Sequence, residues 1–457
     1  MTLSSDSSAY LSSLGRFGIL PGLDRVRSVL ELLGNPQRSY LTIQVVGTNG
    51  KGSTTAFIDA ILRASGYRTG RYTSPHLFDV RERVVVSDRP ISSEFFEGLF
   101  QELRHCLETR SLSLTFFEFL TVLAFMAFAR ASCQIVVLEA GMGGRWDATT
   151  ACDPIATVLT QVALDHERVL GSGILNIFEE KVAVGRRGRP FIACLQDAVL
   201  RERFLERARE RGFIPVLGDR DFSGEWIEPD RPDQKFRMAI YKGRWGERVL
   251  SSALTATYQI GNLSAALASL EWTSLPVSPT AILEGSASAA NPGRLELISK
   301  SPVILRDGAH NVSAIQALCI ALRDRFGTSG KFGFFLAIHA DKDWTTMLSA
   351  LEPLSAAFFF PDDPLGDIEP DSWVSSGEMK EYVGRSAGLS AFIRSGQRNA
   401  LWTEAKEWAN AERGRVLVVT GSLYLVGSLR SKLIPSRRNR SSPSPCLHDN
   451  ASCPSDE

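Results

Sequence analysis

A β-branched apolar run, Thr42-Ile43-Gln44-Val45-Val46, feeds straight into Gly47-Thr48-Asn49-Gly50-Lys51-Gly52-Ser53, and a helix-period segment follows from Thr54. Few folds use residues in that order. Glycines let backbone N–H groups curl around anionic oxygens, the next helix presents its positive dipole end, and one lysine adds a point charge. The spacing is not that of the general nucleotide loop G-x-x-x-x-G-K-[ST], because Val45 stands where its first glycine would be and Gly52 where its hydroxyl would be. A narrower pattern, G-T-N-G-K-G-S, takes its place. Residues 47–53, with Lys51 as the cation, are therefore the candidate phosphate site. The bland alternative is a glycine turn that binds nothing, and it loses ground to what lies downstream.

Lysine plus arginine equals aspartate plus glutamate at 51 each, so no global field favours nucleic acid or an anionic membrane, and any anion site must be local. The seven cysteines are scattered with no C-x-x-C, which points to a reducing compartment rather than a disulfide framework or zinc. The first twenty residues lack the pattern of a signal peptide, and the longest apolar run, Phe119 to Ala129, is too short to span a bilayer. The expectation is a cytoplasmic monomer with neither a nucleic-acid nor a membrane partner.

Strand candidates at Thr42–Val46, Val84–Val86, Gln134–Leu138, Ile155–Thr160 and Phe191–Leu195 alternate with helix candidates at Leu23–Leu33, Thr54–Ser65, Ser93–Thr109 and Glu118–Arg130. Such alternation predicts an α/β fold with a doubly wound, mostly parallel sheet. The stretch Phe222–Thr257 is richer in charge and alternates, which suits an antiparallel appendage. A second alternating series begins after Pro292-Gly293-Arg294, with strands at Val303–Leu305, Phe332–Ile338, Ala356–Phe360 and Val416–Thr420. The 457 residues suit two domains, here 1–296 and 297–435, and residues 436–457 are too polar and proline-rich to order.

Several expected strand ends carry polar residues, which is where ligands gather in open α/β sheets. Gln134–Leu138 runs into Glu139, a glycine turn and Asp147. A carboxylate there, beside a bound triphosphate, is a natural magnesium ligand, although it could merely cap a helix. Asp165-His166 ends the next strand, and Glu180-Lys181 follows on a helix. A lysine between acids is usually a solvated ion pair, whereas one desolvated near a metal can lose its proton and be modified. In the second half, Arg306-Asp307-Gly308-Ala309-His310-Asn311, Asp341-Lys342-Asp343 and Thr420-Gly421-Ser422 repeat the pattern.

Together these segments resemble the folylpolyglutamate synthase/dihydrofolate synthase family, the folate branch of the Mur-type amide ligases. The resemblance covers roughly residues 10–430 and keeps the family's order, from Pro21-Gly22-Leu23-Asp24-Arg25 through the glycine loop, Thr73-Ser74-Pro75-His76-Leu77, Thr115-Phe-Phe-Glu-Phe, Leu138-Glu139 to Thr149, Leu164-Asp165-His166, Glu180-Lys181, Gln259-Ile-Gly-Asn262, Pro292-Gly-Arg294, Asp307 to Asn311, Asp341-Lys-Asp343 and Thr420 to Tyr424. It implies a P-loop-type first domain, a smaller Rossmann-like C-terminal α/β domain, and ATP between them. Magnesium would be held by Ser74, Glu139 and His166, with a monovalent cation such as K+ left open.

ATP would meet Gly47, Thr48, Asn49, Gly50, Lys51, Gly52, Ser53, Asn262, Arg294, Asp307 and His310. Lys51, Lys181, His166 and Asp147 would be catalytic, Lys181 matching a lysine that carries a carbamate in many members. Gly22, Leu23, Asp24, Arg25, His76, Thr115, Phe117, Trp146, Asp147 and Ala148 would face the pterin. The implied reaction adds L-glutamate to dihydropteroate, and to reduced folates, through an acyl phosphate. A member with one of these activities, a cell-wall Mur-type ligase and a non-catalytic nucleotide binder are the alternatives. The chain departs from the family at Gln44, Thr160-Gln161-Val162-Ala163, Asn291, Val312 and Thr150, none of which is a catalytic-type side chain.

Overall fold

The computed structural model describes residues 4–14, 22–327, 331–363, 372–385 and 392–429, so the expected disordered tail at 436–457 lies outside the described residues. Two sheets organise the chain. The first has eight strands: β1 (Leu41–Val46), β2 (Thr69–Tyr72), β3 (Val84–Val86), β4 (Arg89–Pro90), β5 (Ile135–Glu139), β6 (Ala156–Leu159), β7 (Pro190–Ala193) and β8 (Ile214–Leu217). Their spatial order is β4-β3-β2-β5-β1-β6-β7-β8, parallel from β2 to β8, with β3 and β4 antiparallel at one edge. β1 thus sits between β5 and β6, with Val45 beside Glu139 and Val46 beside Leu159. That register puts the glycine loop next to the ends of both neighbours.

Both faces of this sheet are covered, which is why its strands read as near-continuous apolar runs. On one face lies the helix Phe116–Arg130, buried nearly all round and started by a reciprocal cap between Thr115 and Glu118. On the other, the helix Lys51–Ala64 packs with Gln259–Glu271 and Pro279–Ser288. Fully burying one side chain such as Phe57 or Phe119 contributes about 1.5–3 kcal/mol.

Residues 223–252 form the expected antiparallel appendage, with strands β9 (Ser223–Trp226), β10 (Arg237–Gly243) and β11 (Gly246–Ser252). The second large sheet has six strands: β12 (Glu296–Lys300), β13 (Val303–Arg306), β14 (Lys331–Leu336), β15 (Ser355–Pro361), β16 (Phe392–Gly396) and β17 (Arg415–Thr420). Its order is β12-β13-β17-β14-β15-β16, parallel except for β12. Glu296 already pairs with Arg306, so this sheet starts one residue before the expected boundary at Leu297. Each sheet with its helices makes a lobe, and the carboxyl ends of β13 and β17 face those of β1, β5 and β6 across a cleft of about 460 Å³.

Candidate active site

The glycine loop leaves β1 at Val46 and enters the helix Lys51–Ala64 with Gly50 at its N-cap in the left-handed region, φ 89°. A Cβ on Gly50 would collide with Asn262, and one on Gly47 (φ 149°) with Thr160, so neither position tolerates a side chain. The loop is tied sideways to the segment after β6. Thr48 N–H donates to the Gln161 carbonyl (2.7 Å), and Thr48 Oγ1 donates to the Ala163 carbonyl (3.0 Å). Lys51 Nζ folds back on its own loop, donating to the carbonyls of Gly47 (3.1 Å) and Thr48 (3.0 Å).

Lys181 donates to the same Gly47 carbonyl at 2.9 Å. It is 3% exposed, and burial, then the nearby charge of Lys51, draws its pKa down to about 7. Two lysines therefore converge on one carbonyl at the floor of the cleft. Glu139, at the end of β5, is buried and accepts the Ser74 N–H at 3.1 Å. Burial pushes its carboxyl up while Lys51 pulls it down. His166, in the left-handed region at φ 55°, lines the same cleft, and desolvation lowers its pKa to about 4 against the pull of Asp165, so its ring is neutral at pH 7.

A buried carboxylate with one backbone donor, a hydroxyl and a neutral imidazole suit a hard divalent cation. Among the described residues no three His, Cys, Asp or Glu side chains gather as a complete metal cage. An ion held by Ser74, Glu139 and His166 would take the rest of its shell from nucleotide and water, as Mg2+ does.

Arg294, on the segment leading into the second lobe, and Asp307 and His310 of that lobe close the cleft. Asp307 accepts the Tyr258 hydroxyl (2.8 Å), the Leu295 N–H (2.7 Å) and the Ala309 N–H (2.9 Å). His310 Nδ1 donates to the Gly308 carbonyl at 2.8 Å, which leaves Nε2 to face Asp165 at 3.8 Å. Asn262 donates to Gln259 (2.8 Å), which fixes its amide against the loop. All the residues expected at nucleotide and metal line this one cleft.

The residues expected at the pterin do not line it. Leu23 and Ala148 are core side chains, 4% and 2% exposed, and present no side-chain surface to a ligand. Arg25 pairs with Glu118 at 2.7 Å, which joins the Gly22–Arg25 segment to the Thr115 cap, while Trp146 is 52% exposed. His76 Nδ1 accepts from Arg83 Nε at 2.9 Å. The Phe117 ring lies against Gly141, a residue of the cleft wall, so Phe117 borders the cleft from behind. Asp147, expected among the catalytic groups, does not line the cleft and is engaged by its own turn. Its carboxylate is taken by the N–H groups of Gly141 (2.8 Å), Met142 (3.0 Å) and Thr149 (3.0 Å) and by the Thr149 hydroxyl (2.5 Å).

Sequence reasoning missed the contacts that join the lobes. Asp165 accepts Lys342 Nζ (2.6 Å) and Asn311 Nδ2 (3.0 Å), and Asn311 also donates to Asn49 (3.0 Å). Tyr258 carried no motif of its own. The family departures turn out to be neighbours of the site: Asn291 donates to Ser53 Oγ (3.0 Å), Gln161 to Ser313 Oγ (3.0 Å), and Gln44 to Thr150 Oγ1 (2.8 Å).

Residues 45–270 match the Mur ligase middle domain, and residues 295–432 match the dihydrofolate synthetase C-terminal domain. The dihydrofolate synthase/folylpolyglutamate synthase of Bacillus subtilis is 30% identical over 442 residues, spanning 94% of this chain and 98% of that protein. Among solved structures, E. coli FolC in complex with DHPP and ADP has a TM-score of 0.82 at 28% identity, covering 94% of this chain and 98% of the other. A bifunctional folylpolyglutamate synthase/dihydrofolate synthase with Mn, AMPPNP and L-glutamate bound has a TM-score of 0.78 at 28% identity, over 94% and 98% of the two chains. The chain belongs to the dihydrofolate synthase/folylpolyglutamate synthase family of Mur-type ligases.

Proposed function

We propose that this protein is an ATP-dependent ligase that joins L-glutamate to dihydropteroate, and to reduced folates, through an acyl phosphate. One observation carries the reading: a single cleft lined by the glycine loop, Lys51, Lys181, Glu139 and His166 from one lobe, Asp307 and His310 from the other, and Arg294 from the segment that joins them. The substrates come from the family and from relatives solved with ADP and DHPP or with AMPPNP and L-glutamate.

A carboxylate is a poor electrophile, so its oxygen attacks the γ-phosphorus of ATP and ADP leaves. The glutamate α-amine then attacks the acyl carbon and orthophosphate departs. Loop N–H groups hold the phosphates, and Lys51 exchanges its two loop carbonyls for phosphoryl oxygens, where its charge stabilises the transferring group. Ser74, Glu139 and His166 are assigned to Mg2+, which when bound would neutralise charge on the phosphoryl oxygens. Lys181, with its lowered pKa, adjusts the charge on the cleft floor. Gly22–Arg25, Thr115, Phe117 and the Trp146–Ala148 turn are assigned to the pterin side. Their backbone and exposed edges serve there, since Leu23 and Ala148 bury their side chains.

Residues 1–296 and 297–435 are taken as the two domains. The protein is assigned to the cytoplasm as a monomer, which fractionation and sedimentation test; no helix among the described residues is long and apolar enough to cross a membrane. The activity test measures orthophosphate from purified protein with ATP, Mg2+ and glutamate. Release that depends on dihydropteroate or tetrahydrofolate is expected, and the two assayed side by side separate a bifunctional from a single-activity enzyme. No release with either acid would overturn the reading.

A further inference from the structure

The three-stranded appendage has no part in the chemistry above, yet its polar side chains meet the second lobe. The meeting point is the far end of the helix Val312–Phe326. Arg237 on β10, 4% exposed, donates to the carbonyls of Glu228 (2.8 Å) and Thr255 (3.1 Å) and pairs with Asp324 at 2.8 Å. Thr257 Oγ1 donates to the same Asp324 oxygen at 2.7 Å. The next helix residue, Arg325, donates to Thr255 Oγ1 (3.2 Å) and lies 3.4 Å from the buried carboxylate of Asp230.

The other end of that helix is at the nucleotide loop. Asn311 caps it, accepting the Ala314 N–H (2.9 Å), and contacts Asn49 and Asp165; Ser313 accepts from Gln161 (3.0 Å). The helix has fifteen residues, roughly 22 Å at 1.5 Å per residue. The appendage itself is fixed to the first lobe. Ala239, Tyr241 and Leu250 share a core with β1 and β6, and Glu271 of the helix Gln259–Glu271 accepts the Tyr241 hydroxyl at 2.7 Å.

We infer that the appendage is a bracket, with Arg237 and Asp324 as positioning residues: by gripping the outer end of the helix Val312–Phe326 it sets where Asn311, at the inner end, meets the nucleotide loop. Apolar contact between lobes is non-directional and lets them slide. A guanidinium that donates along three fixed directions does not, and a charge pair whose arginine is buried, with Asp324 half-buried, is better suited to fixing geometry than to adding stability. Loosening the outer end tilts a rigid rod, and the error appears at the loop.

This inference rests on reading the cleft as the nucleotide site, so the test has one arm that needs no nucleotide. Wild type, Arg237→Met, Asp324→Ala, Asp324→Asn and Thr257→Val are compared by small-angle scattering without ligand and by calorimetric titration with AMPPNP and Mg2+. For Arg237→Met and Asp324→Ala, a larger radius of gyration and at least tenfold weaker AMPPNP binding are expected, with far-UV circular dichroism unchanged. Asp324→Asn keeps an acceptor oxygen and should stay within threefold of wild type. Thr257→Val removes one hydroxyl, leaves a foldable chain if the charge variants fail to fold, and should weaken binding at least threefold.

Wild-type scattering and affinity in folded Arg237→Met and Asp324→Ala, or in Thr257→Val, would overturn the bracket. Failure of wild type itself to bind AMPPNP would overturn the functional reading. The scattering arm would then decide the bracket alone.

Discussion

Lys342 Nζ stands 2.6 Å from Asp165 Oδ1, so the second lobe anchors on the segment that also carries His166. Both side chains are largely buried, at 10% and 5% exposure. Removing one partner of a buried pair costs about 3–5 kcal/mol. Because this pair joins lobes, the loss should fall on closure more than on folding of either lobe. Lys342→Met is expected to weaken AMPPNP binding at least tenfold in titration calorimetry while far-UV circular dichroism is unchanged; equal affinity would count against an inter-lobe role.

Gln44 donates to Thr149 Oγ1 (3.1 Å) and Thr150 Oγ1 (2.8 Å), and Thr149 in turn donates to Asp147, which holds the N–H groups of Gly141 and Met142. A relay thus runs from the middle of β1 to the cleft wall. Gln44→Leu leaves two buried hydroxyls short of a donor, at about 1–3 kcal/mol. Urea unfolding should show that loss, and the KM for the pterin acid should rise more than the KM for ATP. Stability and both KM values unchanged would contradict the relay.

Lys181 supplies a pH signature. Its folded pKa of about 7 lies below the ordinary lysine value near 10.4, so between those values the unfolded chain binds the extra proton. Unfolding free energy from this group therefore rises as pH rises from 7 toward 10, by at most about 1.4 kcal/mol per pH unit, and is flat below 7. Denaturant melts across pH 6–10 should show that rise in wild type and a shallower one in Lys181→Met. Parallel curves for the two proteins would contradict the assignment.

Much of this was legible because the fold buries what it needs. β1, β5, β6 and β7 are apolar or β-branched runs, and they emerge as strands within a residue or two of their expected limits. The helix after the loop begins at Lys51 rather than Thr54 because Gly50, in the left-handed region, serves as its N-cap. β2 went unread: Gly70 and Arg71 interrupt its apolar pattern, and it is a strand because it pairs with β5 and β3. The strand-end motifs located the cleft, but Asp165 and Lys342 lie 177 positions apart, and no local pattern joins them. The hydrogen bonds of Asp147 to its own turn were not legible for a related reason. A carboxylate beside a glycine turn reads alike whether it faces a ligand or its own backbone.

Glu139 is the carboxylate assigned to Mg2+, and its hydrogen bond to the Ser74 N–H orients it. Glu139→Gln keeps the shape and removes the charge. Manganese binding followed by electron paramagnetic resonance in the presence of AMPPNP should weaken at least tenfold in this variant, with AMPPNP affinity in the absence of metal changed less than threefold. Undiminished manganese binding would move the ion elsewhere.

The most direct test of the account follows one oxygen atom. Dihydropteroate labelled with oxygen-18 in its carboxylate is turned over with ATP, Mg2+ and L-glutamate, and the liberated orthophosphate is read by phosphorus NMR. The account predicts one labelled oxygen per phosphate released, because the carboxylate attacks phosphorus before the amine attacks carbon. Amide product formed with unlabelled phosphate would contradict it.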